Sequence, residues 1–120
     1  MVYKTAPDNF NPKFEVVSCY IEHRGEILLL LRQDYKTEGD RWGVPAGKVD
    51  SGENKLNAMV REIQEETGQQ MSADDLEYLT TVFVEYPEYC FVYHMFRAKL
   101  DERPLVKLNP EEHKDHLLTL

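Results

Sequence analysis

No apolar run in this chain approaches the roughly 20 residues needed to cross a bilayer as a helix. Its first ten residues, MVYKTAPDNF, lack the apolar core of a signal peptide. Cysteine is scarce: Cys19 and Cys90 lie far apart, each in a strand-like run. Two such residues do not make a disulfide framework, and buried free thiols of a cytoplasmic protein are expected instead. Basic residues are in the minority, 14 Lys and Arg against 22 Asp and Glu, for a net charge of -8. That balance excludes a general basic field for holding a nucleic-acid polymer. It leaves polyphosphates open, provided metal ions screen the site. Repeats, linkers and low-complexity stretches are also missing. What is present, 42% apolar and 11% aromatic residues over 120 positions, fits one ordered domain, residues 1–120, with a modest core.

The stretch from Gly47 to Gln69, GKVDSGENKLNAMVREIQEETGQ, organises the rest. It reads as a loop feeding a helix, with Asp50 or Ser51 as cap and Gly68 ending it in the left-handed conformation. At about 100° per residue, Ala58, Glu62, Glu65 and Glu66 fall within an arc of about 100°. Leu56, Val60, Ile63 and Thr67 gather on another side, the spacing of a buried stripe. A charge run is ordinarily a solvated face. Here the like-charged Glu62 and Glu66, four residues apart, cost a few tenths of a kcal/mol unless compensated. A hard divalent cation that takes carboxylate oxygens is an economical compensation.

The same residues carry a resemblance. Gly47, Glu53, Arg61, Glu62, Ile63, Glu65, Glu66 and Gly68 stand in the register of the box that marks the Nudix hydrolases. The final apolar place of that box holds Gln69, the single departure within it. Eight specified positions at fixed spacing make a far more specific signal than a lone glycine pattern. Trp42-Gly43-Val44-Pro45-Ala46 resembles the family's approach to the box, with Ala46 where glycine is common.

Taken in order, Lys13–Glu22 and Glu26–Arg32 read as two strands joined at His23-Arg24-Gly25. The four consecutive leucines of the second suggest a strand covered on both faces. Trp42–Pro45 reads as a short strand and Ser72–Asp75 as a turn. Leu76–Tyr86 and Cys90–Leu100 form a hairpin around Pro87-Glu88. Asn109-Pro110-Glu111-Glu112 has the chemistry of a helix start, so a second helix is expected to run to about Leu120. The order predicts an α/β (α+β) fold: a mixed sheet with a helix on each face, which agrees with the αβα sandwich implied by the resemblance. A helix of ten residues covers a sheet face poorly. Two expectations follow: the chain is a shortened form of a longer protein, or a second subunit closes the open face as a homodimer.

The resemblance implies that Glu62, Glu65 and Glu66 bind Mg²⁺ or Mn²⁺, with the Ala46 carbonyl as a further ligand. Glu53 is expected to orient Arg61 through an ion pair in preference to binding metal directly. Arg32 and Lys48 match positions that face the polyphosphate in similar enzymes. Glu112 is the candidate general base, with Glu111, Glu85 and Glu88 as alternatives. Acids at a helix start need no function to explain them. Trp42, Tyr86, Tyr89 and Tyr93 are candidates for stacking on a nucleobase. The four histidines lack metal-ligand spacing and are expected at the surface. The implied activity is metal-dependent hydrolysis of a nucleoside diphosphate linked to another group, with a lean toward (deoxy)nucleoside triphosphates. ADP-ribose, nucleotide sugars and dinucleoside polyphosphates are the alternatives. A sensing module that binds nucleotide without turnover is the competing class, and three box glutamates argue against it.

Overall fold

A computed structural model describes all residues, Met1–Leu120. Eight strands and one α-helix follow in the order β1 (Val2–Tyr3), β2 (Phe14–His23), β3 (Glu26–Arg32), β4 (Trp42–Gly43), β5 (Ala46–Lys48), α1 (Lys55–Thr67), β6 (Glu77–Glu85), β7 (Cys90–Leu100) and β8 (His113–Thr119), with a single 3₁₀ turn at Ala73–Asp75 between α1 and β6. The main path of the sheet is β1-β6-β7-β2-β3-β4, with β5 on β2 and β8 on β3. It is mixed, because β2 and β7 run parallel from Phe14↔Phe91 to His23↔Leu100 while the other pairs are antiparallel. No helix is long and apolar enough to cross a membrane.

The turn between β2 and β3 puts Arg24 and Gly25 at positive φ, 49° and 81°, as a two-residue hairpin requires. The two strands pair only beside that turn, at Glu22↔Ile27 and His23↔Glu26, and then separate. The split is filled by the Trp42–Lys48 segment. β4 pairs with β3 at Leu30↔Gly43 and Leu31↔Trp42, and β5 pairs with β2 from Val16↔Lys48 to Ser18↔Ala46. Between them the Cys19 amide donates to the Pro45 carbonyl at 3.0 Å. This divergence carries Ala46 and Gly47 to the side of α1.

Alternation along the strands sends Val17, Cys19, Ile21, Leu28, Leu30, Phe96 and Ala98 to one face, where Ala58, Met59 and Ile63 of α1 meet them. Cys19 and Cys90 are both free thiols. The helix is rolled relative to the expected stripe. Its buried residues are Ala58, Met59, Ile63, Glu66 and Thr67, while Leu56 and Val60 are only half-buried. Its start also differs. Asn54 is the cap, its side chain accepting from the Asn57 amide at 2.8 Å. Asp50 and Glu53 instead close a turn before the helix, with Asp50 N–H donating to Glu53 Oε1 at 3.0 Å. Gly68 ends the helix at φ 77°, as expected, donating to the Gln64 carbonyl at 2.9 Å.

The chain end departs from expectation. The Asn109 side chain accepts from the Glu111 amide, and the Glu112 and His113 amides return to the Asn109 carbonyl. A helix-like turn thus forms, and it stops there. His113–Thr119 continues as β8, antiparallel to β3, with Leu28↔Leu118 and Leu29↔Leu117. The open edge of β3 offers unpaired N–H and C=O groups along its length. An apolar segment that supplies their partners and places Leu118 against the core gains more than a short exposed helix. α1 is therefore the single helix against the sheet. The opposite face carries Tyr20, Leu29, Leu31, Tyr93 and Leu117, all half-buried.

Candidate active site

Arg61 is the hub of the site. Its Nε and one terminal nitrogen each donate to a Glu53 oxygen at 2.9 Å, a forked pair. The other terminal nitrogen reaches Glu62 Oε1 at 2.8 Å and Glu65 Oε2 at 3.2 Å. The Lys48 carbonyl accepts from the guanidinium at 3.0 Å, and Asp50 lies 3.4 Å away. One rigid fork thus ties the loop before α1 to two turns of the helix. Hydrogen bonds from Arg61 hold the Glu53 carboxyl well below its usual range, at about 2, and the same partnership raises the Arg61 pKa. The expected Glu53–Arg61 ion pair is present.

Glu62 and Glu66 behave differently from Glu65. Their side chains are 12% and 3% exposed, against 51% for Glu65. Glu66 Oε1 accepts from the Ala46 amide at 3.4 Å, and Glu66 Oε2 is buried with no partner. Burial, followed by contact with the Glu62 carboxylate, pushes the Glu66 pKa far above the ordinary carboxylate range. A carboxylate oxygen left without a donor in the interior is costly. A divalent ion that takes oxygen ligands removes that cost, so this donor set fits one.

Gly47 explains a fixed place in the box. A Cβ on Gly47 would fall inside the van der Waals envelope of the Glu62 carboxylate. Only glycine lets the loop backbone approach this closely. Gly47→Ala is therefore expected to swing Glu62 out of the site and lower turnover at least about tenfold, the scale for a lost metal support. Far-UV circular dichroism should match wild type, since the displaced group is the far end of a side chain.

A cleft of about 190 Å³ opens beside Glu66, lined in part by Arg32, Trp42, Ala46 and His113. Arg32 is thus brought to the carboxylates, its Nε donating to the Thr37 carbonyl at 2.6 Å. Lys48 is not. Its ammonium lies over the Phe14 ring, 4.3 Å from the centroid. Of the aromatic candidates, Trp42 lines the cleft, whereas Tyr86 and Tyr89 pack against each other and Phe91, and Tyr93 packs on Phe91. Glu112 is within reach of the site: Glu66, Glu112 and His113 each offer an atom within 4.8 Å of the others. Glu111 is exposed at the turn and Glu85 and Glu88 belong to the β6–β7 hairpin, beside a separate cleft.

The histidines overturn the surface expectation. His23, His94 and His113 are buried, and only His116 is exposed. His113 joins the site because β8 lies beside β3, pairing His113 with Arg32. Its adjacency to Glu112 was the only signal available in the sequence.

Residues 12–119 match the profile of the NUDIX domain. The CTP pyrophosphohydrolase of Escherichia coli (strain K12) is 41% identical over 54 residues, 45% of this chain and 40% of that protein. The aligned part is therefore less than half of either. Among solved structures, a MutT/nudix family protein from Enterococcus faecalis superposes with a TM-score of 0.78 at 22% identity, covering 95% of this chain and 46% of the other. A MutT NUDIX hydrolase from Burkholderia pseudomallei gives 0.77 at 26%, covering 91% and 83%.

Proposed function

The chain belongs to the NUDIX family, and from that premise we propose that it hydrolyses the phosphoanhydride bond of a nucleoside diphosphate linked to another group. Water attacks at phosphorus and an X–P–O–P bond breaks. The observation that supports this most directly is the buried Glu66 beside the partly covered Glu62, with an unpartnered oxygen on Glu66, next to a cleft that also holds Arg32. Glu62, Glu65, Glu66 and the Ala46 carbonyl would hold Mg²⁺ or Mn²⁺, which when bound would supply Lewis acidity for the phosphoryl group and the attacking water. Arg32 neutralises phosphate oxygens. Lys48 joins it only if its flexible stem leaves Phe14. Glu53 and Arg61 position the helix carboxylates, Glu112 accepts the proton from water, and Trp42 offers a face to the base.

The substrate we favour is a (deoxy)nucleoside triphosphate. The partial similarity to a CTP pyrophosphohydrolase supports that choice. Release of phosphate and pyrophosphate from a panel of triphosphates, ADP-ribose, nucleotide sugars and dinucleoside polyphosphates tests it. Turnover is expected with Mg²⁺ or Mn²⁺ and none in a chelator, fastest for a triphosphate. Saturable binding without turnover of any member would replace the enzyme with a sensing module.

A further inference from the structure

Three of the four histidines are buried, and two of them have ordinary partners. His23 Nδ1 lies 3.2 Å from the Leu100 carbonyl. His94 is bonded at both ring nitrogens, to Thr81 at 2.8 Å and to Glu15 at 2.6 Å. His113 has neither kind of contact. Its side chain is 8% exposed, its Nδ1 is buried with no partner, and its Nε2 lies 3.9 Å from Glu66 Oε1, beyond hydrogen-bond length. The other unpartnered buried atom in this place is Oε2 of the same Glu66. An imidazole between two carboxylates that bonds to neither is placed for a third party.

We propose that His113 joins Glu66 in ligating the divalent ion through an imidazole nitrogen, with Glu112 beside them as the base, making the site a mixed nitrogen and oxygen centre. This rests on the metal-dependent reading above and adds a ligand to it. The distances permit it. Two ligands about 2.1 Å from one ion lie roughly 3 Å apart at right angles and roughly 4.2 Å apart when opposite. His113 Nε2 and Glu66 Oε1, 3.9 Å apart, fall between those limits, and Glu112 offers an oxygen within 4.8 Å of a donor atom on each.

The fold has a local device that selects this side chain. β8 pairs Leu30↔His116 and Leu31↔Asp115, and the register then slips so that His113 stands opposite Arg32. In an unbroken ladder that place would hold Lys114, whose cation would repel a metal. The bulge turns His113 toward the cleft and leaves Lys114 to pair with Asp40 at 2.5 Å. A nitrogen donor raises the preference for Mn²⁺ over Mg²⁺, which favours water and carboxylate oxygen.

Pulsed electron paramagnetic resonance of Mn²⁺ bound to the full chain, without nucleotide, tests the inference. A ¹⁴N coupling is expected in wild type and should become a ¹⁵N coupling when histidine is ¹⁵N-labelled. His113→Gln should abolish it, and His116→Gln, on the exposed part of the same strand, should not. Calorimetry should show Mn²⁺ affinity falling at least about tenfold in His113→Gln and Mg²⁺ affinity by less than about threefold. Bound Mn²⁺ with no nitrogen coupling in wild type overturns the role of His113 and leaves the carboxylate site standing. Failure to bind Mn²⁺ at all overturns both. Should His113→Gln not fold, the isotope exchange in wild type and in His116→Gln still decides.

Discussion

Glu66→Gln is expected to abolish turnover while making the metal-free protein harder to melt. Turnover should fall at least about 100-fold, because the change removes the anionic oxygen most deeply placed in the site. The gain in stability follows from linkage. The folded protein holds a proton on Glu66 to a pH well above the ordinary value of 4.5, while the unfolded chain releases it near 4.5. Between those limits the native state binds more protons, so stability falls as pH rises. Glutamine keeps the shape and never ionises. At pH 8 in a chelator its melting temperature should exceed wild type by about 5 °C or more. Saturating Mn²⁺ should raise the wild-type value and leave the variant unmoved, since only the native wild-type site binds the ion. Equal melting temperatures at pH 8 without metal, with full turnover, would falsify the assignment of Glu66.

Arg61→Ala is expected to cost both stability and rate. The arginine is 27% exposed and hydrogen-bonds to Glu53, Glu62, Glu65 and the Lys48 carbonyl. Without it, three carboxylates and Asp50 face one another with no cation among them. Breaking a fully buried pair costs about 3–5 kcal/mol and a surface pair under about 1, so this partly covered hub should cost about 2. That is a fall of about 8 °C in melting temperature, measured in metal-free buffer at neutral pH. Arg61→Lys should recover little, because an ammonium cannot reproduce the fork. The acid limb gives a second reading. Glu53, depressed to about 2, contributes stability that is present above 4.5 and is lost as pH falls toward 2. That loss should be shallower in Arg61→Ala than in wild type. An unchanged melting temperature would reassign the arginine to the solvent.

The box was legible in the sequence because its chemistry is local. Helical spacing puts Glu62, Glu65 and Glu66 on one side. Gly47 and Gly68 mark a close approach and a left-handed end, and Glu53 stands eight residues before Arg61. The β2–β3 and β6–β7 hairpins were legible for the same reason, with alternation and turn residues adjacent in the chain. The helix start was less so. Asp50, Ser51 and Asn54 are all good caps, and it is the Glu53–Arg61 pair, holding the loop down, that leaves the place to Asn54.

The sequence by itself determined the helix, its carboxylate set, the loop that feeds it and the family to which they belong, since each depends on neighbours a few residues away. Only the tertiary structure decided what Asn109–Leu120 becomes. Locally Asn-Pro-Glu-Glu favours a helix and starts one turn, but the unpaired edge of β3 offers hydrogen bonds that no local propensity can weigh. That decision makes His113–Thr119 strand, puts His113 opposite Arg32 and brings both to Glu66, which stands 47 residues before His113 in the chain. It also separates the three glutamates. Their spacing makes them alike, and only the packing of α1 against the split between β2 and β3 buries Glu66, half-shelters Glu62 behind Gly47 and leaves Glu65 at the rim.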